Sequence, residues 1–361
     1  MIIESMELKN FRNYRELQLH FDAKTNIFYG DNAQGKTNIL EAVYLSGTTK
    51  SHKGSRDRDM ILFGEDEGHL RTFVKKGEIE YQIDIHLKKN KTKGIAINGV
   101  PIRKASELFG IANFVFFSPE DLSIIKEGPG ERRRFLDMEL CQLDKVYLHH
   151  LANYNRIVVQ RNKLLKDLSF RPELKDTLDI WDIQMAEYGK KIIESRNAFI
   201  ESLGEIIRGI HEKLSGGKEE LTLSYEKHVG AEELYDAITR SRERDIRMKT
   251  SNVGPHRDDL MFAIGGVDIR KFGSQGQQRT AALSLKLSEI ELVKQVIHDT
   301  PVLLLDDVLS ELDHNRQNYL LDSIHDIQTM ITCTGLDEFV NHRFSINRVF
   351  RVVEGAVYSE N

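Results

Sequence analysis

Eight residues near the start of the chain, Gly30-Asp31-Asn32-Ala33-Gln34-Gly35-Lys36-Thr37, fit the pattern G-x-x-x-x-G-K-[ST] without a mismatch. That spacing suits one task. The glycines let the backbone wrap phosphates, while peptide N–H groups and the start of a following helix supply positive potential. Lys36 is placed to reach the β- and γ-phosphates of a nucleotide, and the Thr37 hydroxyl to ligate Mg²⁺. Far along the chain, Pro301-Val302-Leu303-Leu304-Leu305-Asp306-Asp307 ends an apolar run in two acids. A buried parallel strand would present such acids at its carboxyl edge, where open α/β sheets bind ligands. Asp306 is expected to hold the magnesium, directly or through water, and Asp307 to polarise the attacking water.

Both motifs depend on strand ends and a helix to aim them. The glycine loop follows the strand NIFY and precedes the apolar segment NILEAVYL. Further strands are expected at Ile2–Leu8, Leu17–Phe21, Tyr81–Leu87 and Phe114–Phe117, with Asn98-Gly99 as a hairpin turn. From Glu131 to Leu168 the apolar spacing becomes helical, through Leu140, Leu143, Tyr147, Leu151, Tyr154, Val158, Leu165 and Leu168. A second series opens at Pro172, runs from Leu174 to Leu214 and stops at Ser215-Gly216-Gly217. The two read as an antiparallel pair, broken into shorter helices, that buries its own stripe. From Glu219 the α/β pattern returns: LTLSY, LMFAI, PVLLLDD and TMITCT as strands, Ala231–Lys249, Gln278–Gln295 and 314–326 as helices, and the last twenty residues completing the sheet. The expected division is an ATPase head in two parts, 1–128 and 218–361, with a helical lobe, 129–217, inserted between them.

Two short segments narrow the class. Phe272-Gly273-Ser274-Gln275-Gly276-Gln277-Gln278-Arg279 resembles the signature loop of ABC-type ATPases, and Ser310-Glu311-Leu312-Asp313 resembles their D-loop. The resemblance implies that Ser274, Gly276 and Gln277 complete the nucleotide site of a second subunit, so that ATP joins two heads and hydrolysis releases them. The opening Leu8-Lys9-Asn10-Phe11-Arg12-Asn13-Tyr14 resembles the start of SMC-like ATPase heads.

Longer stretches resemble the RecF family of bacterial recombination mediators. They are Phe117–Lys126 with Gly128-Pro129 and Arg132-Arg133-Arg134-Phe135-Leu136-Asp137, then Gly254-Pro255-His256-Arg257-Asp258-Asp259, together with Ser51-His52-Lys53. The resemblance covers essentially the whole chain. It implies an α/β fold, an ABC/SMC-type P-loop head with a mixed sheet and an inserted all-helical lobe. It also implies ATP and Mg²⁺ as cofactors and an ATP-dependent homodimer on double-stranded or gapped DNA. Cooperation with RecR and RecO to load the RecA recombinase follows from it as well. By the same analogy Arg12 lies near the nucleotide and Glu120 takes the place of the Q-loop glutamine as a further metal ligand. Gly335 stands where transporters have a switch histidine, and Glu127 where the family commonly has glycine. Asp307, a shorter acid than the Glu of many ABC enzymes, suggests slow hydrolysis: a weak DNA-stimulated ATPase that serves as a dimerisation switch.

Basic residues that could meet DNA are Lys50, Lys53 and Arg56 after the glycine-loop helix, Lys88, Lys89, Lys91 and Lys93 at a hairpin tip, and Arg132, Arg133 and Arg134 at the entry to the helical lobe. The 361 residues carry a net charge of -5, so any such contact must be a local patch on a chain that is acidic overall. The two cysteines, Cys141 and Cys333, form no C-x-x-C pair, and no apolar run is long enough to span a membrane, so a cytoplasmic location is expected. A transporter subunit would need the switch histidine, and an SMC-type tether would need far longer coiled coils. A nuclease would need more than the lone pair Asp258-Asp259, and a GTPase an N-K-x-D element.

Overall fold

The computed structural model describes residues 1–336 and 346–360. In chain order the first elements are β1 (Ile2–Phe11), β2 (Tyr14–His20), β3 (Thr25–Tyr29), α1 (Lys36–Thr48), β4 (Glu67–Lys76), β5 (Ile79–Lys88), β6 (Gly94–Ile97), β7 (Val100–Pro101) and β8 (Phe114–Phe117). There follow α2 (Leu122–Lys126), α3 (Pro129–Leu143), α4 (Lys145–Asp167), α5 (Leu178–Leu214), β9 (Leu221–Glu226), α6 (Leu234–Met248), β10 (Asp259–Ile264), β11 (Val267–Asp268), α7 (Ile269–Phe272) and α8 (Gln275–Ile297). The chain ends with β12 (Val302–Asp306), α9 (His314–Ser323), β13 (Thr329–Cys333), β14 (Arg348–Val353) and β15 (Ala356–Glu360). Of the last twenty residues, expected to complete the sheet, 342–345 and 361 lie outside the described residues.

Met1–Asp121 and the residues from Glu289 onward make one compact unit, built on two six-stranded sheets. One is antiparallel throughout, in the order β2-β1-β4-β5-β6-β7. The other runs β15-β14-β3-β13-β12-β8 and is parallel except at its β14–β15 edge. Every residue of β8, β12 and β13 is buried, as expected of strands covered on both faces. The order matters for chemistry. β13 lies between β3 and β12, so the ends of those two strands are held one strand apart, and Thr332 pairs with Asp306 in register.

Leu122–Ser288 forms the other unit. Its boundaries differ from the expected ones: residues 218–288 group with the helices and not with the head. Side chains give the reason. Arg132 on α3 makes a two-pronged pair with Asp259 at the start of β10, at 2.6 and 2.9 Å. Arg196, buried on α5, reaches Asp137 at 2.7 Å and the Pro255 carbonyl at 2.8 Å. These bonds fasten the antiparallel sheet β11-β10-β9 to the helices. The segment 129–214 is helical, interrupted at Asp144, whose side chain caps α4, and between α4 and α5 by a turn and the two-turn 3₁₀ helix Pro172–Thr177. Most of the expected stripe is buried: Leu140, Tyr147, Tyr154, Leu165, Leu168, Leu178, Met185, Ile192, Phe199 and Leu203. The second helix, expected to be broken, runs without interruption over 37 residues. Towards its end the buried line moves by one position, to Ile207 and His211, as a 3.6-residue turn drifts from a regular spacing. At the far end of the lobe Arg161, fully buried, is held between Asp182 and Asp245, each at 2.7 Å.

Candidate nucleotide-binding site

Three residues of the glycine loop adopt backbone conformations that explain its sequence. Gly30 has φ 148° and Gly35 φ 113°, and Ala33 sits in the left-handed region at φ 64°. A side chain at Gly30 would lie 2.3 Å from the Val352 carbonyl oxygen of neighbouring β14, so glycine is required there by packing as well as by φ. The first turn of α1 has no capping side chain and no acid, which leaves its amide groups and positive end open to an anion. Lys36 folds back over the loop, its ammonium donating to the carbonyl oxygens of Gly30 and Asp31. Burial lowers its affinity for a proton, although Asp307 and Asp306 act the other way. Asp31, Asn32 and Ala33 are exposed at the loop crest.

The two halves of the sequence pattern meet here. The Thr37 hydroxyl donates to Asp306 Oδ1 at 2.8 Å, across 269 positions of chain. The same oxygen accepts from Thr332 Oγ1 at 2.7 Å, and Thr332 Oγ1 in turn accepts from the Asp307 amide at 3.0 Å. Asp307 has φ 55°, a left-handed conformation costly for a residue with a Cβ. Its Oδ1 is shielded from solvent and has no hydrogen-bond partner among the described residues. Burial raises its carboxyl above the usual carboxylate range and Asp306 adds to this, against the attraction of Lys36. A threonine hydroxyl beside an aspartate supplies the hard oxygen donors that Mg²⁺ prefers, and Asp307 Oδ1 adds an acceptor without a hydrogen-bond partner among the described residues. These donors fit the metal. Glu120 lies on the exposed turn after β8, the strand beside β12, at the same edge of the sheet.

Several residues that position the loop escaped the sequence reading. Asn13 Nδ2 donates to the Gln34 carbonyl at 3.0 Å, and the Tyr14 hydroxyl to the Gly35 carbonyl at 3.1 Å. From the other side, the Glu354 amide donates to Gln34 Oε1 at 2.5 Å. The loop is thus gripped by the β1–β2 and β14–β15 turns. Asn13 and Tyr14 carried a signal, since they belong to the quoted opening motif; Thr332, a polar residue in an apolar strand, carried a fainter one. Arg12 stands in the same β1–β2 turn, with its guanidinium on the Glu41 carboxylate at 2.6 and 2.7 Å and on Ser55 Oγ at 2.8 Å. Although burial opposes it, the bonds from Arg12 and Ser51 bring Glu41 below the usual carboxylate range.

Ser274, Gly276 and Gln277 lie in the other unit, at the start of α8. The Ser274 amide donates to Gln277 Oε1 at 2.8 Å and the Gln277 amide to Ser274 Oγ at 3.2 Å, a reciprocal capping box. Ser274 Oγ uses a lone pair there, and its proton can point outward. A Cβ on Gly276 would approach nothing closer than Ser274 Oγ, at 3.8 Å, so the fold of this chain does not itself require glycine at that place.

The basic residues divide. Arg132 is corrected from a candidate DNA contact to a structural one: it is buried, and its donors are used by Asp259, Ile124 O and Glu127 O. Arg133 donates to the Asp258 carbonyl at 2.7 Å, and burial lowers its pKa. Lys93 is held by Thr49 O and Asp57 at 2.5 and 2.8 Å, and Lys89 by Asp66 at 3.2 Å. Lys53, Arg56 and Lys91 are exposed, while Lys88 is half-buried. The pair Asp258-Asp259 is engaged by Tyr225, Arg196 and Arg132, and no cluster of three or more His, Cys, Asp or Glu side chains that could hold a metal ion occurs among the described residues. None of the described helices is long and apolar enough to cross a membrane. Glu127 has no left-handed φ, so its backbone accepts the replacement for glycine.

Residues 2–356 match the family model for the RecF/RecN/SMC N terminal domain. A DNA replication and repair protein RecF from Agathobacter rectalis is 64% identical over 357 residues, 99% of each chain. Its counterpart from Lachnospira eligens is 61% identical and is covered, like this chain, over 100% of its length. Among solved structures, the recombination mediator protein RecF-ATP in the RecFOR pathway superposes with a TM-score of 0.91 at 36% identity, over 99% of this chain and 97% of that one. An Smc head bound to the C-terminal winged-helix domain of ScpA superposes at 0.58 over 100% and 98% of the two chains; at 17% identity it speaks for the fold alone.

Proposed function

The chain belongs to the RecF branch of the RecF/RecN/SMC family, and we propose that it is an ATP-dependent DNA-binding recombination mediator. Its working form is a homodimer with ATP held between two heads. The observation that carries this reading is the bond network in which Thr37, Asp306 and Thr332 converge beside the unpartnered carboxylate oxygen of Asp307. It is a pole of oxygen donors facing a glycine loop whose lysine is parked on its own carbonyls.

In this reading the loop amides and the start of α1 take the phosphates, and Lys36 leaves the Gly30 and Asp31 carbonyls to neutralise them. Thr37 and Asp306 would hold Mg²⁺, which would supply positive charge to offset that of the phosphates; Glu120 is a further candidate ligand. Asp307 orients the attacking water from a position with an unspent acceptor. Ser274, Gly276 and Gln277 of one copy cap the γ-phosphate held by the other, using the outward hydroxyl proton of Ser274, the Gly276 amide and the positive start of α8. Hydrolysis is slow, stimulated by DNA, and reopens the dimer. RecR and RecO are the proposed partners, double-stranded and gapped DNA the substrate, and RecA loading at gaps the outcome in the cytoplasm. The names of the relatives, a DNA replication and repair protein and a recombination mediator in the RecFOR pathway, support this assignment.

Sedimentation of wild type, Lys36→Met and Asp307→Asn with Mg-ATP, with and without duplex DNA, tests it. Wild type and Asp307→Asn should dimerise with nucleotide, the latter persistently, and Lys36→Met should not. An Asp307→Asn chain that stays monomeric at saturating Mg-ATP on duplex would falsify the clamp.

A further inference from the structure

Helix α6 presents two faces with different chemistry. The inner face is consumed by ion pairs: Asp245 accepts from Arg161 at 2.7 Å, and Arg242 reaches Asp182 at 2.5 Å and Asp179. The outer face carries Arg240, Arg244 and Arg247, all exposed, with exposed Lys249 just past the helix end. At 3.6 residues per turn the three arginines fall within roughly 60° of one another, along about 10 Å of axis. None of the three forms an ion pair with a described residue. The nearest acid on this face, Glu243, is taken by Lys175 at 2.8 Å and feels Arg247 only through space. Asp236, a turn before Arg240, is the other acid on the face.

Such an arrangement works against its own helix, because like charges three and four residues apart repel. The helix dipole offsets this for Arg247 and Lys249 near the C-terminal end, but not for Arg240 at mid-helix. Nor does a basic composition explain it, in a chain of net charge -5. We propose that the outer face of α6 is a docking surface for the phosphate backbone of duplex DNA. Guanidinium groups pair with phosphate through a rigid donor fork, and three on one line can follow one strand. Around the arginines the face offers Asp236, Ala237, Glu243 and, at its end, exposed Met248, and a stripe whose donors are all guanidinium groups suits the phosphates, which are the same for every base sequence. A protein partner would need apolar anchors at the centre of the stripe, and there are none.

The surface rests on the reading of the chain as a DNA-binding ATPase, and one experiment separates the two. Affinity for a blunt, ungapped duplex is measured against salt concentration, on the full chain with Mg-ATP, for wild type, Arg240→Gln/Arg244→Gln/Arg247→Gln and Glu243→Gln. Losing three phosphate contacts should make the slope of log affinity against log salt shallower by about 2–3, equally for all sequences, with ATP-driven dimerisation unchanged. Glu243→Gln, which removes an acid and releases Lys175, should bind the duplex more tightly, an effect that damage to the fold cannot produce. A triple variant with the wild-type slope, or a Glu243→Gln chain with unaltered affinity, overturns the surface while leaving the ATPase clamp standing. Wild type that binds no duplex at all overturns the DNA reading, and the surface with it.

Discussion

Replacing Thr332 by valine tests the geometry of the site most directly, because the change removes one oxygen and almost no volume. That oxygen makes two contacts: it donates to Asp306 Oδ1 at 2.7 Å and accepts from the Asp307 amide at 3.0 Å. A hydrogen bond to a charged, buried group is worth about 1.5–3 kcal/mol. The Asp307 amide keeps a second acceptor, the Thr332 carbonyl at 3.3 Å, so its loss adds at most about 1 kcal/mol. The head should therefore be destabilised by about 2–4 kcal/mol. Thr332→Ser, which keeps the hydroxyl, should lose only about 1 kcal/mol for the missing methyl group. Urea unfolding followed by far-ultraviolet circular dichroism reads this; Trp181, the one tryptophan, lies in the other unit and would report on the wrong place. The functional consequence is separate. If Thr332 fixes the orientation of a metal-binding Asp306, affinity for Mg-ATP should fall about 10–100-fold while affinity for ATP in EDTA stays unchanged. Equal loss with and without magnesium, or no loss at all in Thr332→Val, would refute the assignment of Asp306 as the metal ligand.

Three further outcomes are expected. Gly276→Ala should leave thermal stability unchanged or slightly raised, since a Cβ there meets only Ser274 Oγ at 3.8 Å, yet weaken ATP-driven dimerisation by about 1–3 kcal/mol at each of two sites through overpacking; equal dimerisation by sedimentation would remove Gly276 from the interface. His256 is neutral in the fold, donating from Nε2 to the Ser251 carbonyl and accepting the Tyr154 hydroxyl at Nδ1, and burial lowers its pKa to about 4. Below about pH 6.5 the unfolded chain binds a proton that the folded chain refuses, so stability should drop by about 2 kcal/mol between pH 6.5 and 5, and by less in His256→Gln; parallel stability–pH curves would contradict this. Lys88→Gln with Lys91→Gln should make the salt dependence of duplex binding shallower by about 2, whereas Lys93→Gln, whose ammonium is held by Thr49 and Asp57, should change thermal stability and leave the slope alone.

How far the sequence could be read followed from how local each signal was. The glycine loop, the apolar strand ending in Asp306-Asp307 and the helical stripe of the lobe are patterns of contiguous residues, and contiguous backbone chemistry dictates a phosphate loop, a buried strand and an amphipathic helix. Thr37 and Asp306 could even be paired in advance, because each has a defined place in a phosphate site. Thr332 could not be: it reaches Asp306 only because β13 lies between β3 and β12, and strand order is a property of the whole sheet. The same limit governed the charges. Arg132 and Lys91 look alike in a sequence, yet one is buried against Asp259 and the other stands in solvent. It also governed the division of the chain, where residues 218–288 joined the helical unit through Arg132, Arg196 and the acids of the Gly254–Asp259 segment. Local pattern determined the chemistry that each segment can perform; which charges are spent on the fold, and which remain for a partner, was decided by contacts between residues far apart in the chain, from Lys93 with Asp57 at a separation of 36 to Arg132 with Asp259 at 127.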